Sequence, residues 1–581
     1  MGAVNCRIAL GAALACSVVL AGDLTDRFQL TLDRVTKGGP PRYTPDLILA
    51  DVIPQATRRF TEYSGDVSGR YIGALASAEP AGNTIPSIRA IVAGILKLQK
   101  PDGHFGIAFT ADIGHDDMAL LWGNGRLLIG MLEYYERHPS PALLESARHL
   151  GDFLVRIAPQ MNSDSLQNRV DQGDFAAAYI CWTQQIEGLV ALTRATGDQK
   201  YIDLARQIAA RIHRIPAQHG HGFLTSLRGL VALYQATGDR IFLDQAILER
   251  QGIIESGNLL PQGAVPEAFA PRIRRDEGCA EADWLRLNLA LWRITRSREY
   301  LDQAQLTLFN EYAVNQFSTG DFGSRVFSPT GISVGIDADG AGAARCWWCC
   351  TLHGLRAFRD IMDSVFHGDH ADLWYDLPIE GRGHADGIAA AAESFLETRG
   401  SVQLRITAAD AHPHRLHIMN PSWAESVNIS INGAAPMHGA GVARTWKTGD
   451  RIEVTYAMRT QVIPVPKTGR YAIFYGPWML GADEQLSPFF WDEPYNDNRL
   501  RISTGRDVHL ERASVAPGRF AIPIARFQAG YLPEGYPMLP QKVLLRPIAE
   551  QTGSPSTAWY FLFKLDMAAS DPPHAGAEQE N

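Results

Sequence analysis

Gly188-Leu-Val-Ala-Leu-Thr-Arg-Ala-Thr-Gly-Asp198 recurs, forty-one residues on, as Gly229-Leu-Val-Ala-Leu-Tyr-Gln-Ala-Thr-Gly-Asp239. Each copy reads as the end of a helix. Its glycine, Gly197 or Gly238, is placed to adopt the left-handed conformation that closes a helix, and the following aspartate can cap the next one. An amphipathic stretch follows each copy, Tyr201 to Arg211 and Phe242 to Arg250. Looser copies run through Leu127–His138 into Pro141–Val155, and through Leu287–Thr295 into Tyr300–Phe309. Repeated helical hairpins of this length predict a solenoid or a closed ring. Eleven or twelve helices are expected between about Leu47 and Phe366. Six pairs close an (α/α)6 toroid, and the alternative is an open superhelix.

The pattern changes after about Asp372. Val402-Gln-Leu-Arg-Ile406, Val427-Asn-Ile-Ser-Ile431 and Ile452-Glu-Val-Thr-Tyr456 alternate apolar and polar residues with period two, the mark of half-buried strands. Asn432-Gly433, Thr448-Gly449-Asp450 and Thr468-Gly469 supply the turns. Leu544–Ile548 and Trp559–Phe563 suggest further strands. The fold class expected is multidomain α + β: a helical toroid followed by one or more all-β sandwich domains. The boundaries read as a signal peptide at 1–22, a catalytic domain at 23–370, a β-sandwich region at 371–567 and a disordered tail at 568–581.

Composition fits a globular protein, 46% hydrophobic and 20% charged over 581 residues. That length exceeds one ordinary core and asks for two or three domains. A net charge of −9 gives no footprint for nucleic acid. The N-terminus reads as an export signal, with Arg7 ahead of a thirteen-residue apolar run from Ile8 to Leu20, too short to span a bilayer comfortably. The residues before Cys16 fit a lipoprotein signal poorly. No other segment is apolar enough to span, so the location expected is secreted or periplasmic. The sequence leaves the oligomeric state open.

Seven cysteines are present, and four of them (Cys279, Cys346, Cys349 and Cys350) fall in one window, which points to a site rather than a disulfide scaffold. Glu277, Cys279, Cys349 and Cys350 are ligand types that zinc takes four at a time. A metal-held thiolate is also a nucleophile. Trp347 and Trp348 offer an apolar wall, and Trp122 and Trp182 are candidates to line a sugar cleft. Glu267, ten residues before Glu277, supplies the carboxylic acid that a retaining glycosidase needs beside its nucleophile. Two other readings of the cysteines stand beside this one: a Cys346–Cys349 disulfide, and a structural zinc staple. His104 and His115 sit in glycine-containing loops and could face a cleft.

The chain resembles glycoside hydrolase family 127, the β-L-arabinofuranosidase-like proteins. The resemblance is carried by Glu62-Tyr-Ser-Gly-Asp-Val-Ser-Gly-Arg70, Leu96-Lys-Leu-Gln-Lys-Pro-Asp-Gly-His-Phe-Gly106, Leu121-Trp-Gly-Asn-Gly-Arg126, Pro266-Glu-Ala-Phe269, Glu277-x-Cys279 and Trp348-Cys-Cys-Thr351. In the β region it is carried by Asn420-Pro-Ser-Trp423, Ile431-Asn-Gly433, Trp446-Lys-Thr-Gly-Asp450 and Gly469-Arg-x-Ala-x-x-Tyr-Gly-Pro477. It implies an (α/α)6 barrel with β-sandwich domains. It also implies Cys349 as nucleophile, Glu267 as acid/base, and Glu277, Cys279, Cys349 and Cys350 as zinc ligands. Gln184 and Thr225 align where relatives present sugar-binding histidines, and Gln305 where they carry a glutamate. Together with Trp122 and Trp348, Gln184 and Thr225 are the substrate-binding candidates. The function expected is zinc-dependent retaining hydrolysis of an oligosaccharide or glycoside. A carbohydrate-binding protein with structural zinc, or a polysaccharide lyase or epimerase on the same toroid, is the alternative.

Overall fold

The computed structural model describes residues 24–483 apart from 40–41, 58–59, 80–85, 172–176, 217, 270–274, 328–331 and 335–343. Beyond 483 it describes residues 499–503, 511–512, 520–523, 542–553 and 558–568. The expected export signal at 1–22 lies outside the described residues. So does the expected tail at 568–581, save Ala568, which ends a strand.

The helical part comprises α1 (Leu24–Lys37), α2 (Pro45–Ala50), α3 (Asp66–Ala78), α4 (Pro86–Leu96), α5 (His115–Arg137), α6 (Pro141–Met161), α7 (Asp164–Val170), α8 (Ile180–Thr183), α9 (Gln185–Thr196), α10 (Gln199–Ala209), α11 (Gly220–Thr237), α12 (Arg240–Glu255), α13 (Gly278–Thr295), α14 (Arg298–Leu306), α15 (Tyr312–Asn315) and α16 (Trp348–Met362). The repeat behaves as its sequence predicts. Gly197 and Gly238 close α9 and α11 at φ +73°, and the Asp198 and Asp239 carboxylates accept from the backbone N–H of Lys200 and Ile241.

Helix contacts form a cycle. α3 packs on α5, α5 on α9, α9 on α11, α11 on α13, α13 on α16, and α16 back on α3. An open superhelix would leave its first and last members apart. A second layer lies outside, with α4 on α3, α6 on α5, α10 on α9, α12 on α11, α14 on α13 and α1 on α16. The outer helices are one-sided: α10 buries Tyr201, Ile202, Leu204, Ala205 and Ile208. The inner ones are enclosed, and α5 is buried at every residue from Asp117 to Leu132. The α3–α5 crossing is close because it is lined with glycine. A Cβ on Gly130 would sit 2.1 Å from the Gly69 carbonyl oxygen, so neither backbone could come this near with a side chain between them.

Three short strands lie within the region read as helical: β1 (Gly323–Arg325), β2 (Ile332–Val334) and β3 (Ala344–Cys346). β1 and β3 pair antiparallel, Gly323 opposite Cys346, and this strand pair delivers the chain to the start of α16. The sandwich strands are β4 (Phe366–Asp369), β5 (Asp372–Tyr375), β6 (Gly381–Ala385), β7 (Ile388–Phe395), β8 (Ser401–Ala409), β9 (Pro413–Ile418), β10 (Ala424–Ile431), β11 (Met437–His438), β12 (Gly441–Thr445) and β13 (Arg451–Met458). One sheet runs β11-β10-β13-β8-β7-β6 and the other β12-β9-β5-β4. Strands begin a few residues before Asp372 because Phe366–Asp369, too polar to show period two, hairpins onto β5. The three alternating stretches are neighbours in one sheet. Their apolar residues face each other, Ile429 opposite Val454 and Val454 opposite Val402, and all three are buried. A further sheet begins at Thr460–Val465 and also takes in β2, while Arg499–Ser503 and Lys564–Ala568 form a separate parallel pair.

Asp360 on α16 ties two inner helices by pairing with Arg286 and Arg293 of α13. Burial alone would raise its carboxyl pKa, but the two guanidiniums overcome this and hold it at about 2. A carboxyl depressed from about 3.9 contributes stability that is present above the unfolded value and lost as pH falls through the folded one. Asp360→Asn is therefore expected to cost about 2 kcal/mol at pH 7. In urea unfolding followed by helical circular dichroism, the difference from the parent should shrink as pH falls below about 4. A difference independent of pH would show that the charge is not its source.

Candidate active site

Two inner helices begin side by side and bring the cysteine cluster together. Glu277 caps α13 with an extended backbone, and Cys279 lies in that helix's first turn. Trp347 caps α16, and Cys349 and Cys350 lie in its first turn. The Trp347 N–H donates to the Phe322 carbonyl at 3.0 Å, so the β1–β3 pair fixes where α16 starts. Glycine is required between Glu277 and Cys279. A Cβ on Gly278 would meet Asn315 Oδ1 at 2.8 Å, and both Cys350 Cβ and the Gly323 carbonyl oxygen at 3.0 Å. The partial positive charge at both helix N-termini favours anionic groups there.

One donor atom from each of Glu277, Cys279, Cys349 and Cys350 lies within 4.8 Å of the others. The Cys279–Cys350 sulfurs are 3.8 Å apart and the Cys349–Cys350 sulfurs 4.0 Å apart. A tetrahedral ion with metal–sulfur bonds of about 2.3 Å sets its sulfurs roughly 3.8 Å apart. The donor set and its spacing fit one metal ion. All five cysteines of the described residues are free thiols, so the structure holds no Cys346–Cys349 disulfide. Cys350 and Cys279 are buried, and Cys349 is partly exposed. Hydrogen bonds from the Cys279 and Cys350 thiols hold the Cys349 thiol well below its usual pKa, with the Arg70 charge adding to the effect. Burial pushes the other two up.

Glu267 reaches the same cavity from the segment between α12 and α13. Its N–H donates to the Arg275 carbonyl and its carbonyl accepts from Gly220 N–H, each at 2.8 Å, which pins it against the start of α11. Its carboxylate pairs with Arg275. Burial, then the nearby Glu277 charge, raises its pKa against the opposing pull of Arg275. The cavity, about 1200 Å³, is lined by Cys349, Glu267, Trp122, Trp348, His219 and His221 among others.

Of the four substrate-binding candidates, Trp122 and Trp348 line the cavity and Gln184 and Thr225 sit elsewhere. Gln184 is buried behind the cavity wall and its amide donates to the Trp122 carbonyl at 3.1 Å. Thr225 is buried one helical turn past His221 and accepts from Arg126 at 3.0 Å. Neither lines the cavity. Gln305 lies at the join with the β region, where its Oε1 accepts from Trp423 Nε1 at 2.9 Å. Trp182 is buried, with its Nε1 donating to Asn162. His104 staples its own loop through Asp102 and the Ile107 carbonyl, and His115 is exposed at the start of α5. The histidines that face the cavity are His219 and His221. His219 Nε2 lies 3.0 Å from Glu277 Oε2. Two histidines flanking one glycine at a helix start was the available signal.

Residues 61–220 match the family profile described as "Beta-L-arabinofuranosidase, GH127 catalytic domain", and residues 378–458 match that described as "GH127 middle domain". This is a GH127-like protein. It carries the catalytic domain of a glycoside hydrolase family. A solved GH127 β-L-arabinofuranosidase from Geobacillus stearothermophilus T6 shares the fold at TM-score 0.66 and 14% identity, covering 94% of this chain and 99% of its own. A solved GH127 β-arabinofuranosidase shares it at TM-score 0.68 and 17% identity, covering 94% and 95%. A structure titled only as a glycoside hydrolase matches at TM-score 0.63 and 14% identity, covering 87% and 94%. No curated protein matches the chain by sequence. No helix of the described residues is long and apolar enough to cross a membrane.

Proposed function

We propose that this GH127-like protein is an exported, zinc-dependent retaining glycoside hydrolase that removes terminal sugars, L-arabinofuranose first among them, from plant or microbial oligosaccharides. The observation that carries this reading is one cavity lined by both Glu267 and Cys349, the latter within a four-donor cluster. Glu277, Cys279, Cys349 and Cys350 are the residues that would hold the ion. Zinc suits three thiolates and a carboxylate, and its charge would keep the thiols ionised at neutral pH.

Cys349 attacks the anomeric carbon as a thiolate. Glu267 gives its proton to the glycosidic oxygen as the carbon–oxygen bond breaks and the carbon–sulfur bond forms. Burial and the Glu277 charge shift the Glu267 pKa upward, the direction a proton donor needs, and Arg275 is placed to stabilise the carboxylate left behind. Glu267 then takes a proton from water as its oxygen displaces the sulfur. Two inversions give net retention. Trp122 and Trp348 supply apolar surface against a sugar face. The β-L-arabinofuranosidase family profile and the Geobacillus stearothermophilus enzyme of that name support the choice of sugar.

The test is a panel of 4-nitrophenyl glycosides, arabinofuranosyl and galactosyl in both anomeric forms, with zinc measured on the same protein. One zinc per chain, nitrophenol release from a β-L-arabinofuranoside and a first product of retained configuration are expected. Products that absorb in the ultraviolet as unsaturated sugars would instead mark a lyase. Sugar binding without turnover would mark a binding protein.

A further inference from the structure

Arg70 on α3 is buried, and its guanidinium is committed in three directions. Nε donates to Asp66 Oδ1 at 2.7 Å, Nη1 to Cys279 Sγ at 3.4 Å, and Nη2 reaches His221 Nε2 at 3.0 Å. The last contact fixes the histidine. Arginine can only donate, so His221 Nε2 accepts. The ring's Nδ1 lies 2.7 Å from Asp283 Oδ2, and a carboxylate only accepts, so Nδ1 carries the hydrogen. Asp283 is itself held by His353, Arg228 and Thr225 at 2.8, 2.7 and 2.9 Å. Arg126 donates to the same His221 nitrogen at 3.2 Å. A rigid chain thus runs from Asp283 through His221 and Arg70 to Cys279.

Charge gives this chain a purpose. Three thiolates and one carboxylate around a divalent ion leave the cluster formally dianionic, in a setting where unmatched charge is costly. Groups that donate to metal ligands orient them and tune the metal. Among the described residues, Arg70 is the cationic side chain hydrogen-bonded to a sulfur of the cluster. Its donation falls on Cys279 and not on the partly exposed Cys349. We propose that Arg70 is a positioning residue: locked by Asp66 and His221, it withdraws charge from Cys279 and leaves Cys349 as the sulfur available for attack. This rests on the reading that the four-donor cluster binds zinc.

The test compares the parent with Arg70→Met and Arg70→Lys. Zinc transfer to a chelating dye and the sulfur-to-metal charge-transfer band of the cobalt-substituted protein are read in each. Arg70→Met is expected to release zinc about 10–100-fold faster, the scale of losing a ligand's hydrogen-bond partner. Its cobalt band should move to longer wavelength, because a sulfur relieved of its donor gives up charge more readily. Arg70→Lys keeps the charge but loses the fork, and should fall between. Should Arg70→Met fail to fold, Asp66→Asn loosens the same guanidinium and is expected to shift both readouts less, in the same sense. Parental release and an unshifted band in a folded variant overturn the role given to Arg70 while leaving the zinc site standing. A parent without zinc overturns the site itself.

Discussion

Cys349→Ser is expected to remove turnover on every glycoside the protein accepts, by on the order of 10⁵–10⁶ in kcat, the scale of losing a catalytic nucleophile. A serine hydroxyl in the same place remains protonated at neutral pH and is a poor zinc ligand, so the change removes the attacking atom and one metal donor together. Cys350→Ser separates the two effects. Cys350 is the next residue of α16, fully buried, and shares the cluster without facing the cavity as openly. Its loss should weaken zinc binding but leave a nucleophile, so added zinc should recover part of the rate. Turnover and zinc content measured on both variants distinguish a catalytic sulfur from a structural one. Full activity in Cys349→Ser, or a first product of inverted configuration, would end the cysteine mechanism.

The repeat around Gly197 and Gly238 was legible because its helices terminate the same way twice, and capping is a local property. The strands of the first sandwich sheet were legible because burial on one face imposes period two on Val402–Ile406, Val427–Ile431 and Ile452–Tyr456. The four-donor cluster was legible from ligand chemistry. Its members come from two helix starts about seventy residues apart, and only the ring makes them neighbours. The cavity wall was legible only in part, at Trp122 and Trp348, for a physical reason. Inner helices such as α5 and α13 are buried all round, so hydrophobic period does not separate a residue facing the cavity from one facing the outer layer. Gln184 and Thr225 were thus assigned to the cavity by alignment and proved to lie behind it. His219, His221 and Arg70 reach it without a hydrophobic period to mark them, the histidine pair around Gly220 being the one local cue. Arg70 stood in a quoted motif, but nothing in that motif says that a guanidinium on α3 meets a sulfur on α13. The β1–β3 pair was missed because its strands are three residues each, too short to establish a period.

Glu267→Gln is expected to lower the rate by about 10²–10⁴-fold on an oligosaccharide, the usual scale for losing acid–base assistance. The loss should depend on the leaving group. A sugar alkoxide leaves only if it is protonated as the bond breaks, and glutamine has no proton to give. A nitrophenolate leaves unaided, so the first step on an activated aryl glycoside should change little. The second step still needs a base to activate water, and glutamine is none. On the activated substrate the variant should therefore release one equivalent of nitrophenol in a burst and then stall, with the sugar attached to Cys349. Intact-mass measurement after the burst is expected to show one added glycosyl group, mapped to the peptide containing Cys349. Azide, which attacks without a general base, should restart turnover and give a glycosyl azide of retained configuration. The Arg275 pairing adds a control. Arg275→Met should leave a Glu267 that still donates but ionises less readily, because the charge that opposes burial has gone. Its activity against pH should then extend further to the alkaline side than the parent's, since the acid form survives to higher pH. An equal loss on activated and natural substrates in Glu267→Gln, with no burst and no added mass, would remove Glu267 from proton transfer and leave it a partner of Arg275 only.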